Sequence, residues 1–343
     1  MYYDGTKLMS LKDKEGNTPE IYICTSNRSA GKTTFFSRYL VNRFIKFGEK
    51  FVLLYRFKYE LVDCSSKFFK DIQELFFPEY EMTSEKMLDG VYYNLFLNKK
   101  SCGYALALNC ADPIKKISHF FSDTQRIYMD EFQSETNTYC DREVSKFRSI
   151  HTSIARGHGK QVRYVPVYMV SNPVSLLNPY YVAFGISNKL TNKTKFLRGN
   201  GFVLEQGFNE SASKAQKESA FNRAFANDEV YAAYEQQGVY LNDALAFIEK
   251  PEGRSEYVAT IRYEGKDFGI KRYPHSGIIY CDDKPDYTFP MRLSLSTADH
   301  NINYVMLQAN RAFIFNMRYL FNHGAFRFKN LVCKDAIMHL VSY

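Results

Sequence analysis

Residues 21–36 read Ile-Tyr-Ile-Cys-Thr-Ser-Asn-Arg-Ser-Ala-Gly-Lys-Thr-Thr-Phe-Phe. A short apolar run passes directly into a turn of small polar residues. Phe36, Leu40, Phe44 and Phe47 then recur at helical spacing until Gly48 stops them. The turn from Ser26 to Thr33 follows the spacing G-x-x-x-x-G-K-[ST], with Ser26 in place of the first glycine. Each part has a chemical reason. Small residues let successive backbone N–H groups converge on a phosphate, and the helix that follows points its positive end at the same anion. Lys32 reaches the β- and γ-oxygens, and the Thr33 hydroxyl is placed to ligate Mg²⁺. Ser26, Asn27, Arg28, Ser29, Ala30, Gly31, Lys32, Thr33 and Thr34 are therefore candidate contacts for ATP. The competing reading is an ordinary strand–turn–helix connection with a solvated lysine. The strand before the turn and the amphipathic helix after it argue against that. Ser26 would strain the loop if its position demanded a positive φ, since only glycine goes there freely.

Turnover of a bound triphosphate needs a metal-organising acid and a group that activates water. The stretch Arg126–Asp130, followed by Glu131, supplies both at the end of a short apolar strand. Asp130 would hold Mg²⁺ through its water shell, and Glu131 would polarise the attacking water. A strand that ends in surface acids is the alternative, and the phosphate-loop pattern upstream outweighs it. Asn172, closing the run Val167–Ser171, is placed to sense a γ-phosphate. Between these strands, Arg142 to Arg163 carries six basic residues against one acid, Glu143. Two uses compete with a plain solvated face. One is an arginine finger entering a neighbour's site, worth roughly 10³–10⁵ in rate; the other is a surface that tracks nucleic-acid phosphates. Arg156 is the choice for the finger, with Arg148 and Arg163 as alternatives.

The 343 residues suggest two domains. Phe51–Tyr55, Arg126–Asp130 and Tyr164–Val170 read as buried strands separated by helical stretches, which implies a mostly parallel sheet covered by helices. Pro166 weakens the start of the last strand. Beyond about Asn188 the chain turns polar and rich in Gly, Ser and Asn, as a linker or small lid would. Helical character returns over Glu210–Asp228, and from about Val239 the texture is that of alternating strands. The expected boundaries are residues 1–190, 191–235 and 236–343. A net charge of +8 permits a polyanionic partner. Seven cysteines without a CxxC pair read as reduced thiols of an intracellular protein. No run of about 18 apolar residues offers a membrane span.

Four stretches carry a resemblance to a known family: the loop arginine Arg28, "VNRFIKFGEKFVLLYRFKYEL" at Val41–Leu61, "MDEF" at Met129–Phe132, and "VSNPVSLLNPYYVAFGI" at Val170–Ile186. The sequence resembles the genome-packaging ATPases of small tailed phages of the phi-twenty-nine-like group. The match runs through most of the first 190 residues and is weaker beyond them. It implies an additional-strand P-loop ATPase domain, then a small linker domain, then a ribonuclease H-like α+β domain that has lost its catalytic acids. It implies ATP and Mg²⁺ as cofactors, with Lys32 and Thr33 on phosphate and metal and Asp130 and Glu131 as the acidic pair. Arg56 would line the nucleotide pocket, and Arg156 would act in trans. Lys115 and Lys116 lie where the family has a basic residue near the subunit interface. The implied partners are double-stranded DNA, copies of the same chain in a pentameric ring, and the portal of a prohead in the host cytoplasm. A structural RNA at the portal is a further partner that the resemblance admits.

Three readings follow from these residues: a ring translocase on double-stranded DNA, a helicase-like or remodelling ATPase on another polymer, and a nucleotide-dependent DNA-binding protein without turnover. Asp282, Asp283, Asp286 and Asp299 raise the question of a two-metal nuclease, but "CDDKPD" reads as turn chemistry instead. On all hydrolytic readings Lys32→Ala abolishes ATP turnover, measured as phosphate release. A mutant that hydrolyses at the wild-type rate would remove the phosphate-loop assignment.

Overall fold

The computed structural model describes residues 3–135, 138–156, 161–175, 178–186, 190, 194–224 and 249–341. They fall into two compact units. The first is drawn from the ranges Met1–Ser134, Glu143–Val174 and Thr191–Leu241, the second from Glu135–Arg142, Ser175–Leu190 and Asn242–Tyr343.

In the first unit the chain runs α1 (Thr6–Ser10), β1 (Ile21–Thr25), α2 (Lys32–Phe47), β2 (Lys50–Tyr55), α3 (Cys64–Phe76), β3 (Met82–Met87), β4 (Tyr92–Leu97), β5 (Lys100–Ala107), α4 (Ala111–Lys116), β6 (Thr124–Met129), α5 (Glu143–Ile154) and β7 (Val167–Ser171). After α6 (Pro179–Ala183), which belongs to the second unit, come β8 (Phe196–Arg198), β9 (Phe202–Gln206), α7 (Glu210–Glu218) and α8 (Ala220–Ala224). The strands form one nine-stranded sheet in the order β3-β4-β5-β2-β6-β7-β1-β9-β8. From β5 to β9 all neighbours are parallel, and antiparallel strands close both edges.

The local reasons are visible residue by residue. Phe51, Val52, Leu53 and Leu54 are all buried, as a central parallel strand covered on both faces requires. The helix α2 turns Phe36, Leu40, Val41 and Phe44 toward this sheet, each buried side chain stabilising by about 1.5–3 kcal/mol. It ends at Gly48, whose φ of 70° closes the last turn with an N–H to Phe44 O bond of 2.8 Å. The strand expected from Tyr164 begins instead at Val167, one residue after Pro166, which has no N–H to give a ladder. Pro166 still accepts at its carbonyl, from Ile127 N at 2.9 Å.

Residues 194–206, read from sequence as lying past the end of the ATPase domain, add two strands to its sheet. The strand β9 runs parallel to β1 in the register Ile21↔Phe202 to Thr25↔Gln206. Val203 and Leu204 supply the buried apolar pair that short segment needs. The helical expectation over Glu210–Asp228 is met by α7 and α8 as far as Ala224 and thereafter lies outside the described residues.

The second unit holds β10 (Glu256–Tyr263), β11 (Lys266–Tyr273), β12 (Ile278–Asp282), β13 (Arg292–Ser294), β14 (Val305–Met306), α9 (Arg311–Asn322), β15 (Phe326–Phe328) and α10 (Leu331–Val341). Its six-stranded sheet has the order β14-β13-β10-β11-β12-β15. An antiparallel meander of β10, β11 and β12 carries β13 and β14 parallel beside β10, the layout expected of a ribonuclease H-like domain. Ile261, Phe268, Ile270, Ile279, Leu293, Phe326 and Ile337 share its core. The carboxylates of this unit are engaged one by one. Asp282 takes Lys271 Nζ at 2.5 Å, and Asp283 takes Lys329 Nζ at 2.5 Å. Asp286 caps its own turn through Thr288, and Asp299 accepts the Glu264 and Gly265 amides at 3.0 and 2.8 Å. Among the described residues no group of three or more His, Cys, Asp or Glu could hold a metal ion.

The pairing of β2 with β5 depends on Gly103. A Cβ there would lie 1.9 Å from the carbonyl oxygen of Phe51, a backbone atom that cannot swing aside. Gly103→Ala should therefore destabilise the first unit by about 3 kcal/mol, at the upper end of overpacking costs. Thermal unfolding checks it: an unchanged midpoint would mean that β5 can move away from β2.

Candidate nucleotide site

The carboxyl ends of β1, β7 and β6 lie side by side because their register aligns Thr25 with Ser171 and Met129 with Met169. Whatever follows each strand therefore meets at one edge of the sheet. The loop Ser26–Gly31 follows β1, Asn172 follows β7, and Asp130 and Glu131 follow β6. The sequence places these three segments far apart, and the sheet brings them into contact.

The loop has two left-handed residues, Ser29 with φ 61° and Gly31 with φ 95°. Ser26 is not one of them, so the missing first glycine leaves no backbone strain. Its side chain has a use instead. Lys32, buried at the first position of α2, donates to Ser26 Oγ at 3.0 Å, to Ser26 O at 2.9 Å, to Asn27 O at 3.3 Å and to Asn172 Oδ1 at 3.3 Å. Burial pulls the Lys32 ammonium pKa down, and Asp130 works against that pull. Arg28 is half-buried, Thr34 is half-buried, and Thr33 is exposed.

Thr33 Oγ1 donates to Asp130 Oδ2 at 2.9 Å, joining residues 97 positions apart. The same oxygen accepts the Tyr128 hydroxyl at 3.0 Å, while Asp130 Oδ1 accepts the Glu131 N–H at 2.9 Å. Burial raises the Asp130 pKa above the usual carboxylate range, opposed by these three donors and by Lys32. Tyr128 was not singled out from sequence; it is the second-last residue of β6, two before Asp130. Thr33 and Asp130 thus offer adjacent hard oxygens of the kind that Mg²⁺ selects. The loop and α2 offer the amides and positive helix end that a phosphate needs. The residues fit an ATP–Mg²⁺ pair.

Glu131 is exposed and sits at φ 50°, an uncommon conformation for a residue with a side chain. Arg56, at the end of β2, holds that turn. Its Nη2 donates to Glu131 O at 3.2 Å and to Phe132 O at 2.8 Å, and its Nε bonds both Glu143 oxygens at 3.1 and 3.0 Å. Arg56 and Glu143 are both buried. The guanidinium that sequence reading set against nucleotide thus touches the backbone under Glu131.

Of the basic stretch, Arg148 and Arg156 are exposed, on α5 and just past its end. Arg163 donates to the carbonyls of Thr124 and Ile154 at 3.2 and 2.8 Å. Lys160 lies outside the described residues. Lys115 and Lys116 form the last turn of α4. Sequence reasoning also missed Asn209 and Gln216, which touch the loop from beyond β9. No local motif marks them.

A phosphate-type loop after one strand, an acidic pair after another and a single parallel strand between them define the additional-strand class of P-loop nucleoside triphosphatase folds. The chain belongs to the podovirus DNA encapsidation protein (Gp16) family, whose model matches residues 1–342. It is 27% identical over 318 residues to the DNA packaging protein of Bacillus phage phi29, covering 91% of this chain and 90% of that protein. The DNA packaging protein of Bacillus phage B103 is 26% identical over 316 residues, with 88% and 90% covered. Among solved structures, the bacteriophage Phi-29 genome packaging motor assembly matches with a TM-score of 0.56 at 24% identity, covering 97% of this chain and 96% of that one. The Phi-28 gp11 DNA packaging motor matches with a TM-score of 0.59 at 14% identity, covering 100% and 98%. Both likenesses are of fold.

Arg56→Lys tests the geometry under Glu131. A lysine cannot reach Glu143 and two carbonyls at once. The expected result is a kcat lowered about tenfold, equivalent to about 1.4 kcal/mol, with ATP affinity within twofold of wild type. A raised KM with unchanged kcat would instead put Arg56 on the nucleotide.

Proposed function

We propose that this protein is the ATP-hydrolysing subunit of a motor that drives double-stranded DNA into a prohead. The observation that carries the reading is the 2.9 Å contact between Thr33 and Asp130, where the start of the loop helix meets the acid that follows β6. Membership of the DNA encapsidation family supplies the polymer.

In this mechanism the N–H groups from Ser29 to Thr34 and the ammonium of Lys32 take the phosphate oxygens. The hydroxyl of Thr33 and the carboxylate of Asp130 would hold Mg²⁺, which would supply positive charge against the triphosphate oxygens. Glu131 orients a water and accepts its proton, held in place through Arg56. Asn172, already 3.3 Å from Lys32 Nζ, carries a change at the phosphates into β7. An arginine from the neighbouring subunit completes the site. Arg156 has that role, and Arg148 is the alternative, since both are exposed while the Arg163 guanidinium is taken up by backbone carbonyls. A head-to-tail arrangement of this kind closes into a ring, here a pentamer at the portal vertex in the host cytoplasm. The grip on DNA is made to phosphates, so it ignores sequence and weakens with salt.

Two measurements test this. ATPase rate per subunit should rise with protein concentration and rise further with double-stranded DNA. A rate independent of both would remove completion in trans and the DNA coupling. Glu131→Gln should bind ATP with near-wild-type affinity and lose turnover by about 10²–10⁴-fold, the usual worth of a general base. Retained turnover would take Glu131 out of the chemistry.

A further inference from the structure

The phosphate loop is fastened from outside by the segment that follows β9. Asn27, fully buried, uses its side-chain amide as a two-way clip: Nδ2 donates to Asn209 O at 3.1 Å, and Oδ1 accepts Asn209 N at 2.9 Å. Asn209 reaches back along the same loop, its Nδ2 donating to Ala30 O at 3.4 Å. It is also the N-cap of α7, where its Oδ1 accepts Ala212 N at 3.0 Å. One turn further, Gln216 Nε2 donates to Ser29 Oγ at 3.0 Å, at the loop residue with φ 61°. On the strand side, Gly207 N donates to Thr25 O at 2.7 Å. Thr25, Asn27, Ser29 and Ala30 are thus each tied to a point between Gly207 and Gln216.

We propose that Asn27, Asn209 and Gln216 form a latch that positions the phosphate loop for nucleotide and couples nucleotide binding to α7. Asn209 and Gln216 are positioning residues in this scheme. The physical case is that a loop presenting successive N–H groups to an anion must have its carbonyls turned outward. Those carbonyls and side-chain oxygens need partners. Here Lys32 meets the oxygens of Ser26 and Asn27 on the inner side, while Asn209 meets the Asn27 amide and shares Ala30 O, at 3.4 Å, with the Tyr3 N–H at 2.8 Å. A segment that satisfies the loop's outer groups only in one conformation binds that conformation more tightly. Nucleotide selects the same conformation, so by linkage each stabilises the other. Both α7 and α8 belong to the last segment of the first unit, so the latch ties the phosphate site to that segment. The proposal rests on the reading of this loop as a nucleotide site.

The test uses the full-length chain, a fluorescent N-methylanthraniloyl-ATP with Mg²⁺, steady-state kinetics and amide hydrogen exchange. Wild type should bind the probe, and binding should slow exchange across residues 207–218. Asn27→Ala should raise the dissociation constant and the KM for ATP about tenfold, equivalent to about 1.4 kcal/mol, with the protection of residues 207–218 by nucleotide lost. Gln216→Ala, at a half-buried surface position, should raise the dissociation constant about threefold and leave the unfolding midpoint unchanged. It keeps the test open if Asn27→Ala fails to fold. If either folded variant binds the probe as tightly as wild type, or nucleotide leaves exchange in residues 207–218 unchanged in a wild type that binds, the latch is wrong while the nucleotide site stands. If wild type does not bind the probe, the nucleotide reading falls and the latch with it.

Discussion

Everything in the first unit depends on three parallel strands being in register. With β7 hydrogen-bonded to β1 on one side and β6 on the other, Thr25, Ser171 and Met129 end at one edge. Parallel strands bury both faces, so a slip of one residue would drive Ile23, Ile127 or Met169 onto the opposite face of a packed sheet. That apolar cost, not any contact in the site, places the loop beside the acid. The Thr33–Asp130 hydrogen bond registers the alignment and does not create it.

The site is built of buried charge balanced by close partners. Lys32 and Asp130 each lose hydration, which shifts their pKa values in opposite directions, down for the ammonium and up for the carboxylate. Lys32 is compensated by a hydroxyl and carbonyl oxygens, and Asp130 by two hydroxyls and an N–H, all at hydrogen-bond distance. Arg56 and Glu143 repeat the arrangement one strand further along the sheet. A buried pair of this kind contributes little net stability over apolar residues of the same size. What it contributes is placement, and here the thing placed is the backbone of Glu131 in a conformation that a free chain rarely visits.

The second unit uses the same interactions to a different end. Lys271 and Lys329 each occupy a carboxylate that a two-metal nuclease would leave to its ions, and Asp286 and Asp299 are bound into turns.

Much of this was readable from residues alone. The strand–loop–helix of residues 21–47, the acidic pair after β6 and the asparagine after β7 are local patterns, and local sterics and periodicity determine them. The loop is likewise local, because the small residues and the lysine that a phosphate cradle would need are neighbours in sequence. Sequence left undecided, or placed elsewhere, whatever depends on distant residues meeting. Arg56 is directed to the backbone under Glu131 by a buried glutamate 87 positions away. The polar stretch near residue 200 becomes a pair of sheet strands because β1 offers it an open edge. Asn209 reaches the phosphate loop 182 positions upstream. No local pattern encodes such pairings, since an asparagine or arginine has many equivalent partners until the apolar core has closed and left it only one.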